Sequence, residues 1–367
     1  MKSLNRILML TLSLTLAISA AAQGESKVKN DHRRMKIIAI EEHFLNAEIT
    51  AATRDEVEKI APGHSRAFVG DFGSRQTMKP EQLTDIGAGR IASMDKNGID
   101  VQILSYNSPA TELLPSPLAV ELARRANDQL AAATKAYPGR FLGFATLPMS
   151  DPQAAAEELR RCVTELGFKG AMINGTAHGR FLDEPEFEPL FATAAELGVP
   201  LYIHPTIVKK EVRDAYYDNA DPAFAARFAS AGIGWHYEVG VHVMRLIFAG
   251  VFDRHPNLQV IMGHWGELIP FYMERIQTFF PATASPMKHD FKYYMQNNIY
   301  ITPSGMFNLP QLQNALETMG ADRIMFSVDY PYYPNEGART FLENAPISQQ
   351  DKEKIAHKNA ERLFELK

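Results

Sequence analysis

This sequence predicts an α/β chain folded as one (β/α)8 TIM barrel, and two observations carry that expectation. Eight short apolar, β-branched runs alternate with segments of helical periodicity, the rhythm of repeated βα units. Acid and imidazole side chains (Glu41, His43, His204, His264 and Asp329) fall where four of those runs end. In a closed parallel barrel the carboxyl ends of the strands share one mouth, so groups far apart in sequence converge there.

The expected strands are Lys36 to His43, Val101 to Asn107, Phe141 to Met149, Phe168 to Asn174, Pro200 to Pro205, Leu258 to Gly266, Ile299 to Gly305 and Ile324 to Tyr332. Between them, Pro152 to Leu166 and Glu188 to Leu197 carry apolar residues at helical spacing, and Gly167 and Gly198 follow where a C-terminal cap belongs. A closing amphipathic helix over Asp351 to Glu365 places Ile355, Ala356, Ala360, Leu363 and Phe364 on one face. Two connections are too long for plain βα turns: Phe44 to about Thr84 after strand one, and Thr206 to about Trp235 after strand five. Loops of that length are usually functional lids or disordered, and both mix aromatic residues with charge. The barrel should occupy residues 36–367 as a single domain.

The first residues read differently. Lys2 and Arg6 precede an apolar stretch from Ile7 to Ala20, and Ala20-Ala21-Ala22 supplies small residues for a cleavage site. Residues 1–22 therefore read as a signal peptide for export, with a periplasmic destination, and residues 23–35 as a linker. The alternative is an uncleaved anchor, for which the stretch falls short of the roughly 20 residues of a membrane span. No later segment reads as a span. Removing residues 1–22 takes away Lys2 and Arg6 and no acid, leaving 36 basic residues against 43 acidic. That balance disfavours nucleic acid as a partner. The one cysteine, Cys162, cannot form an internal disulfide and reads as a buried, inert thiol.

Glu41 and His43 are two apart on a strand, so both point to one side and can chelate one ion. With His204 and Asp329 they make two imidazoles and two carboxylates, a donor set suited to zinc or manganese, with iron also open. His264 lies in Gly263-His264-Trp265-Gly266-Glu267, a strand running into a helix, and Arg275 follows Glu267 by eight residues on the expected helix face. One reading tethers His264 to a carboxylate that fixes its tautomer. The other makes Glu267 and Arg275 a surface ion pair and His264 a further ligand. Asn107, Asn174 and Ser304 end other strands and are expected to line the pocket, with Tyr332 nearby; among the remaining histidines, His178 and His236 are the two whose loops are expected to overhang the mouth.

These segments resemble the amidohydrolase-related family of metal-dependent barrels, within the amidohydrolase superfamily, over residues 36 to 367. The matching stretches are Glu41-Glu42-His43-Phe44, Phe181-Leu182-Asp183-Glu184-Pro185, Val199 to Pro205, Arg245 to Arg254, Gly263 to Glu267 and Asp329-Tyr330-Pro331. They are most similar to the γ-resorcylate and dihydroxybenzoate decarboxylase branch. The resemblance implies Glu41, His43, His204 and Asp329 as ligands, with His264, Glu267 and Arg275 as a second catalytic group. It also implies a homodimer or homotetramer. Strand one carries Glu-x-His where many hydrolases of the superfamily carry His-x-His, and strand four ends at Asn174 where binuclear members place a bridging lysine or carboxylate; one divalent ion is expected. Tyr332 stands where this branch often shows Phe, and export departs from its usual cytosolic location. The expected activity is non-oxidative decarboxylation of a hydroxylated aromatic carboxylate, with Asp329 as proton donor. A metal-dependent hydrolase of a lactone, ester or amide is the main alternative, and a binding protein for phenolic acids the third.

Overall fold

A computed structural model describes residues 34–67, 79–284 and 286–366. The expected signal peptide and nearly all of the linker lie outside the described residues. Among the described residues seven parallel strands are present: β1 (Ile38–Phe44), β2 (Val101–Tyr106), β3 (Phe141–Gly143), β4 (Ala171–Asn174), β5 (Leu201–His204), β6 (Val260–Met262) and β7 (Ile299–Ile301). They form two runs, β1-β2-β3 and β4-β5-β6-β7. The expected eighth strand survives as a short segment around Ile324, which bridges Ile301 in parallel. Its Phe326 carbonyl accepts from Ile40 N–H at 3.1 Å on β1, and Ala145 bridges Ala171 across the other gap. Main-chain hydrogen bonds therefore run round the ring, as the sequence predicts for a TIM barrel. Several strands are shorter than expected because the pairing stops where the chain turns into functional loops.

The barrel interior is layered. Ile38, Ile40, Val101, Ile103, Phe144, Met172, Tyr202, Ile261, Tyr300 and Met325 form one buried cluster with contributions from all around the ring. Ala360 and Phe364 join it from the carboxyl-terminal helix, and Phe364 meets Phe144 edge-on at 5.8 Å. The closing helix expected from periodicity thus packs against the interior cluster, though it runs in three pieces, Gln349–Glu353, Lys354–Lys358 and Asn359–Leu363, the middle one a π turn.

Outside the ring lie α1 (Ala47–Ile60), α2 (Ala88–Asn97), α3 (Ser116–Ala136), α4 (Pro152–Thr164), α5 (Glu188–Leu197), α6 (Gly234–Phe248), α7 (Ile269–Phe279) and α8 (Leu309–Thr318). Asn46 caps α1 by accepting from Glu48 and Ile49 N–H, and Asp151 caps α4. Gly198 ends α5 in the left-handed region that a capping glycine serves. Cys162 is buried on α4. The connection from β5 to α6 carries its own small apolar cluster of Val208, Tyr217 and Ala229, with Ile233 and Trp235 packed against it. Among the described residues no helix is long and apolar enough to cross a membrane.

Candidate metal centre and acid-base group

The register of β1 decides which side chains reach the mouth. Ala39 pairs with Gln102 but Glu42 pairs with Leu104, so β1 holds one extra residue there. Such a bulge changes which face later residues use. Ile38 and Ile40 pack in the interior, and beyond the bulge Glu41 and His43 turn inward while Glu42 turns outward. Glu41, His43 and His204 each offer a ligand atom, and the three atoms lie within 4.8 Å of one another. Asp329 Oδ1 stands 3.2 Å from His43 Nε2, adding the fourth expected group.

Their surroundings fit a cation. Glu41 Oε1 and His43 Nε2 are buried without a hydrogen-bond partner, a costly state for polar atoms unless something else satisfies them. Glu41 Oε2 is already engaged by the hydroxyls of Ser304, Thr302 and Ser327, which leaves Oε1 as the free ligand. Ser105 Oγ lies 3.3 Å from His43 Nδ1, so the other ring nitrogen is the one that faces the cluster. Burial pushes the Glu41 carboxyl above its usual range. It pushes His43 down to about 4 and His204 well below the usual imidazole value, the latter helped by His43 and His264. Neutral imidazoles are the ligand form. Gly263 makes room for the cluster: a Cβ there would lie 2.8 Å from Glu41 Oε1 and 2.7 Å from Ser304 Oγ.

The segment after β6 departs from the expected strand-to-helix transition. His264, Trp265, Gly266, Glu267 and Leu268 all have positive φ, between 47° and 79°, a left-handed turn that costs non-glycine residues roughly 1–2 kcal/mol each. It persists because the surroundings hold it at several points. His264 N–H donates to Ser304 Oγ at 2.8 Å, Trp265 N–H to the Thr302 carbonyl at 2.7 Å, and Trp265 Nε1 to the Met306 carbonyl at 2.8 Å. The turn puts His264 and Glu267 on one side, with Nδ1 to Oε1 at 2.7 Å. The tethered-imidazole reading is therefore the arrangement found.

Glu267 is shared. Its Oε2 lies 2.7 Å from His236 Nδ1, and the two histidine rings meet edge-on at 4.4 Å. Burial pushes the Glu267 carboxyl up, but the two imidazoles outweigh it and hold it below the usual range. Burial works against a charged His264, yet Glu267 and the nearby Glu41 and Asp329 raise it to about 9. Asp329 moves the other way: burial raises its carboxyl to about 7, against the pull of His264 and His236.

Arg275 does not join this group. It is exposed on α7, with its guanidinium 4.3 Å from the Phe279 ring. The left-handed turn breaks the helical phase between positions 267 and 275, so the expected shared face does not exist. Ser304 sits behind Glu41 and under His264, fully buried, rather than on the pocket wall. Asn174 ends β4 beside His204 in register, its N–H donating to Glu112 Oε1 at 2.9 Å and its Oδ1 left without a partner. Asn107 follows β2 and donates to the Ser108 carbonyl. Tyr332 is half-buried with its ring 5.9 Å from that of His43. Of the two loop histidines, His236 reaches the acid-base group, whereas His178 lies 3.0 Å from the Leu114 carbonyl on a neighbouring cavity. Two of the motif stretches serve the scaffold, since Arg245 donates twice to Asp183 at 2.7 and 2.8 Å.

Sequence reasoning passed over Glu42, Gln102, Thr302 and Ser327. Glu42 was open to notice as a second acid between two ligands; the hydroxyls carry no pattern of their own.

Comparison with known proteins follows this geometry. The amidohydrolase family profile matches residues 77–366. A γ-resorcylate decarboxylase from a Rhizobium species is 37% identical over 342 residues, covering 90% of this chain and 98% of the relative. The crystal structure of 5-carboxyvanillate decarboxylase from Novosphingobium aromaticivorans, with manganese and 4-hydroxy-3-methoxy-5-nitrobenzoic acid, is 35% identical with a TM-score of 0.81, covering 90% of this chain and 96% of that one. A dihydroxybenzoic acid decarboxylase from a Polaromonas species, with manganese and the inhibitor 2-nitroresorcinol, is 36% identical with a TM-score of 0.78, covering 90% and 97%.

Proposed function

The chain belongs to the amidohydrolase family, and on that footing we propose that it is a metal-dependent carboxy-lyase, removing carbon dioxide non-oxidatively from a hydroxylated aromatic carboxylate of the γ-resorcylate or dihydroxybenzoate type. The observation that carries the reading is geometric: Asp329, a buried carboxyl, stands 3.2 Å from His43 Nε2 against a cluster of metal donors that lack hydrogen-bond partners. Glu41, His43, His204 and Asp329 hold one divalent ion, zinc or manganese. When bound, it supplies Lewis-acid polarisation of the substrate's carboxylate and adjacent oxygen.

The chain's own groups then divide the work. Protonated Asp329 gives its proton to the ring carbon that bears the carboxylate. The bond to that carboxylate breaks, its electron pair returns to the ring, carbon dioxide departs, and Asp329 is left ionised until solvent restores the proton. His264, charged and held by Glu267, donates a hydrogen bond to the ring oxygen as charge develops there. General acid help of this kind is typically worth about 10² to 10⁴ in rate. Asn107, Asn174 and Tyr332 line the ring's side of the pocket.

Residues 1–22 act as an export signal, giving a periplasmic enzyme. We also infer a homodimer or larger assembly. α6 and α7 expose Tyr237, Val241 and Tyr272 on an apolar groove, and α7 also exposes Phe271 and Phe279; exposed apolar surface that is contiguous marks interaction sites, and light scattering of the purified protein tests this. For the reaction, elemental analysis is followed by assay of 2,6- and 2,3-dihydroxybenzoate, reading gas evolution and ultraviolet loss together. One equivalent of ion with matched gas and ring signals supports the reading. Proton release from aromatic lactones without gas from any hydroxybenzoate overturns it in favour of hydrolysis.

A further inference from the structure

We propose that His236, itself oriented by Trp235, is a positioning residue for the reaction, fixing the ring plane of His264 and the direction of its Nδ1–H bond through the shared carboxylate of Glu267. The proposal rests on the decarboxylase reading above, but its geometry stands without it. An indole N–H can only donate. Trp235 Nε1 lies 3.1 Å from His236 Nε2, so that nitrogen accepts and the ring proton of the neutral imidazole sits on Nδ1. From there it donates to Glu267 Oε2 at 2.7 Å. Oε1 is left for His264 Nδ1–H at the same distance, and His264 Nε2 is free toward the cavity.

Glu267 is buried, and the hydrogen bonds described for its two oxygens come one from each imidazole. Without His236, Oε2 becomes a buried acceptor with no donor and the carboxylate gains freedom to rotate. His264, bonded to that carboxylate, loses its fixed plane. Trp235 does not float either, since it packs on the apolar cluster of the β5–α6 connection. The long connection thus registers, through Trp235, His236 and Glu267, onto the imidazole that faces the substrate. The alternative use of the same atoms is a second cation, because one donor atom each of His236, His264 and Glu267 also lies within 4.8 Å of the others.

The test uses full-length, metal-loaded protein and the variants His236→Phe, His236→Asn and Trp235→Phe. The Asn amide keeps a donor near the Nδ1 position, and Phe keeps volume without one. Removing a partner that orients a site imidazole typically costs about 10- to 100-fold in activity. We expect that loss in kcat for His236→Phe on 2,6-dihydroxybenzoate, with KM and metal content unchanged. Most of it should return in His236→Asn, and Trp235→Phe should fall between. In zinc-loaded protein with labelled histidine, the deshielded Nδ1–H proton of His264 should be sharp in the parent and His236→Asn and lost in His236→Phe. Wild-type kcat in His236→Phe, a loss confined to KM, His236→Asn as impaired as His236→Phe, or a second equivalent of metal lost on mutation would each overturn the proposal. Should the parent turn over no hydroxybenzoate, the decarboxylase reading fails by itself, and a His264 resonance that persists in His236→Phe still refutes the positioning role.

Discussion

Glu42→Gln is the substitution that tests how Asp329 is held. Glu42 points away from the ligands, and its carboxylate brackets Asp329: Oε1 accepts from Val328 N–H at 2.9 Å and Oε2 from Tyr330 N–H at 3.2 Å, with Gln102 Nε2 also at 3.2 Å. Burial outweighs the two main-chain donors and Arg90 and raises its carboxyl well above the usual range, but the hydrogen-bond geometry argues the other way. Every hydrogen-bond neighbour is a donor, so the ionised form is the one this cage fits. Glutamine replaces one acceptor by a donor. In its better orientation it leaves Val328 N–H facing an amide, a buried donor unsatisfied at about 1–3 kcal/mol. It also removes the negative charge that attracts the fully buried Arg90 from a distance, since that guanidinium's own hydrogen bonds go to the Asp85, His43 and Gln82 carbonyls. The unsatisfied donor sets the scale, so the net loss should be about 1–3 kcal/mol, a sizeable share of the 5–15 kcal/mol of a typical domain. Urea unfolding of metal-free protein, which removes the ion's own stabilisation from the comparison, should show a clearly lowered midpoint. The metal-loaded variant should lose kcat because Asp329, at φ 65°, relies on both flanking N–H groups to stay in that conformation. A midpoint equal to the parent's, with full kcat, would refute the clamp.

Asp329→Asn should retain its ion by elemental analysis yet lose about 10² to 10⁴ in kcat, the usual worth of a general acid; an active variant removes Asp329 from that role. Gly263→Ala should weaken metal binding in a competition titration, because its Cβ would press on Glu41 Oε1 and Ser304 Oγ, and unchanged affinity would mean the site yields more than its packing suggests. His242 is buried neutral, accepting from Leu182 N–H at 3.0 Å, and burial holds it down to about 3. The unfolded chain binds a proton there below about 6.5 and the folded chain does not, so stability falls with pH from about 6.5 toward 3, by an amount of order 3–5 kcal/mol. His242→Asn should flatten that acid limb in thermal unfolding between pH 4 and 7, whatever its effect at neutral pH.

What could be read in advance, and what could not, divides along physical lines. Glu41, His43, His204 and Asp329 end apolar runs, and a parallel barrel gathers such ends whatever the loops do; alternation and periodicity sufficed. The bulge in β1 was hidden because i and i+2 share a face on either side of it. Arg275 was misplaced because counting eight residues from Glu267 assumed a right-handed helix, whereas positions 264–268 turn left-handed. Nothing local asks His264 or Glu267 to do so, since only Gly266 favours it by itself; contacts from Ser304, Thr302 and Met306 impose it. His236 was visible as a loop histidine, but its value depends on Trp235 packing on a cluster assembled from positions 208 to 235, a tertiary fact.

The same division runs through the site itself. The candidate ligands Glu41, His43 and His204 lie on paired strands, Glu41 within the bulge of β1, whereas His264, Glu267, Ser304 and the fourth candidate ligand Asp329 all adopt positive φ. Three of the four candidate metal donors therefore come with the sheet, and Asp329 with the other proton-handling groups is held in a costly conformation by hydrogen bonds from its surroundings. Perturbations on the β6–β7 side should consequently reach turnover before they reach metal affinity. Trp265→Phe, which deletes the 2.8 Å bond from its indole to the Met306 carbonyl together with part of a buried ring, is one such perturbation. It leaves all four ligands and their partners in place while loosening the turn that carries His264. Its kcat should fall while its metal affinity holds, and a parallel loss of both would mean that the two halves are one mechanical unit.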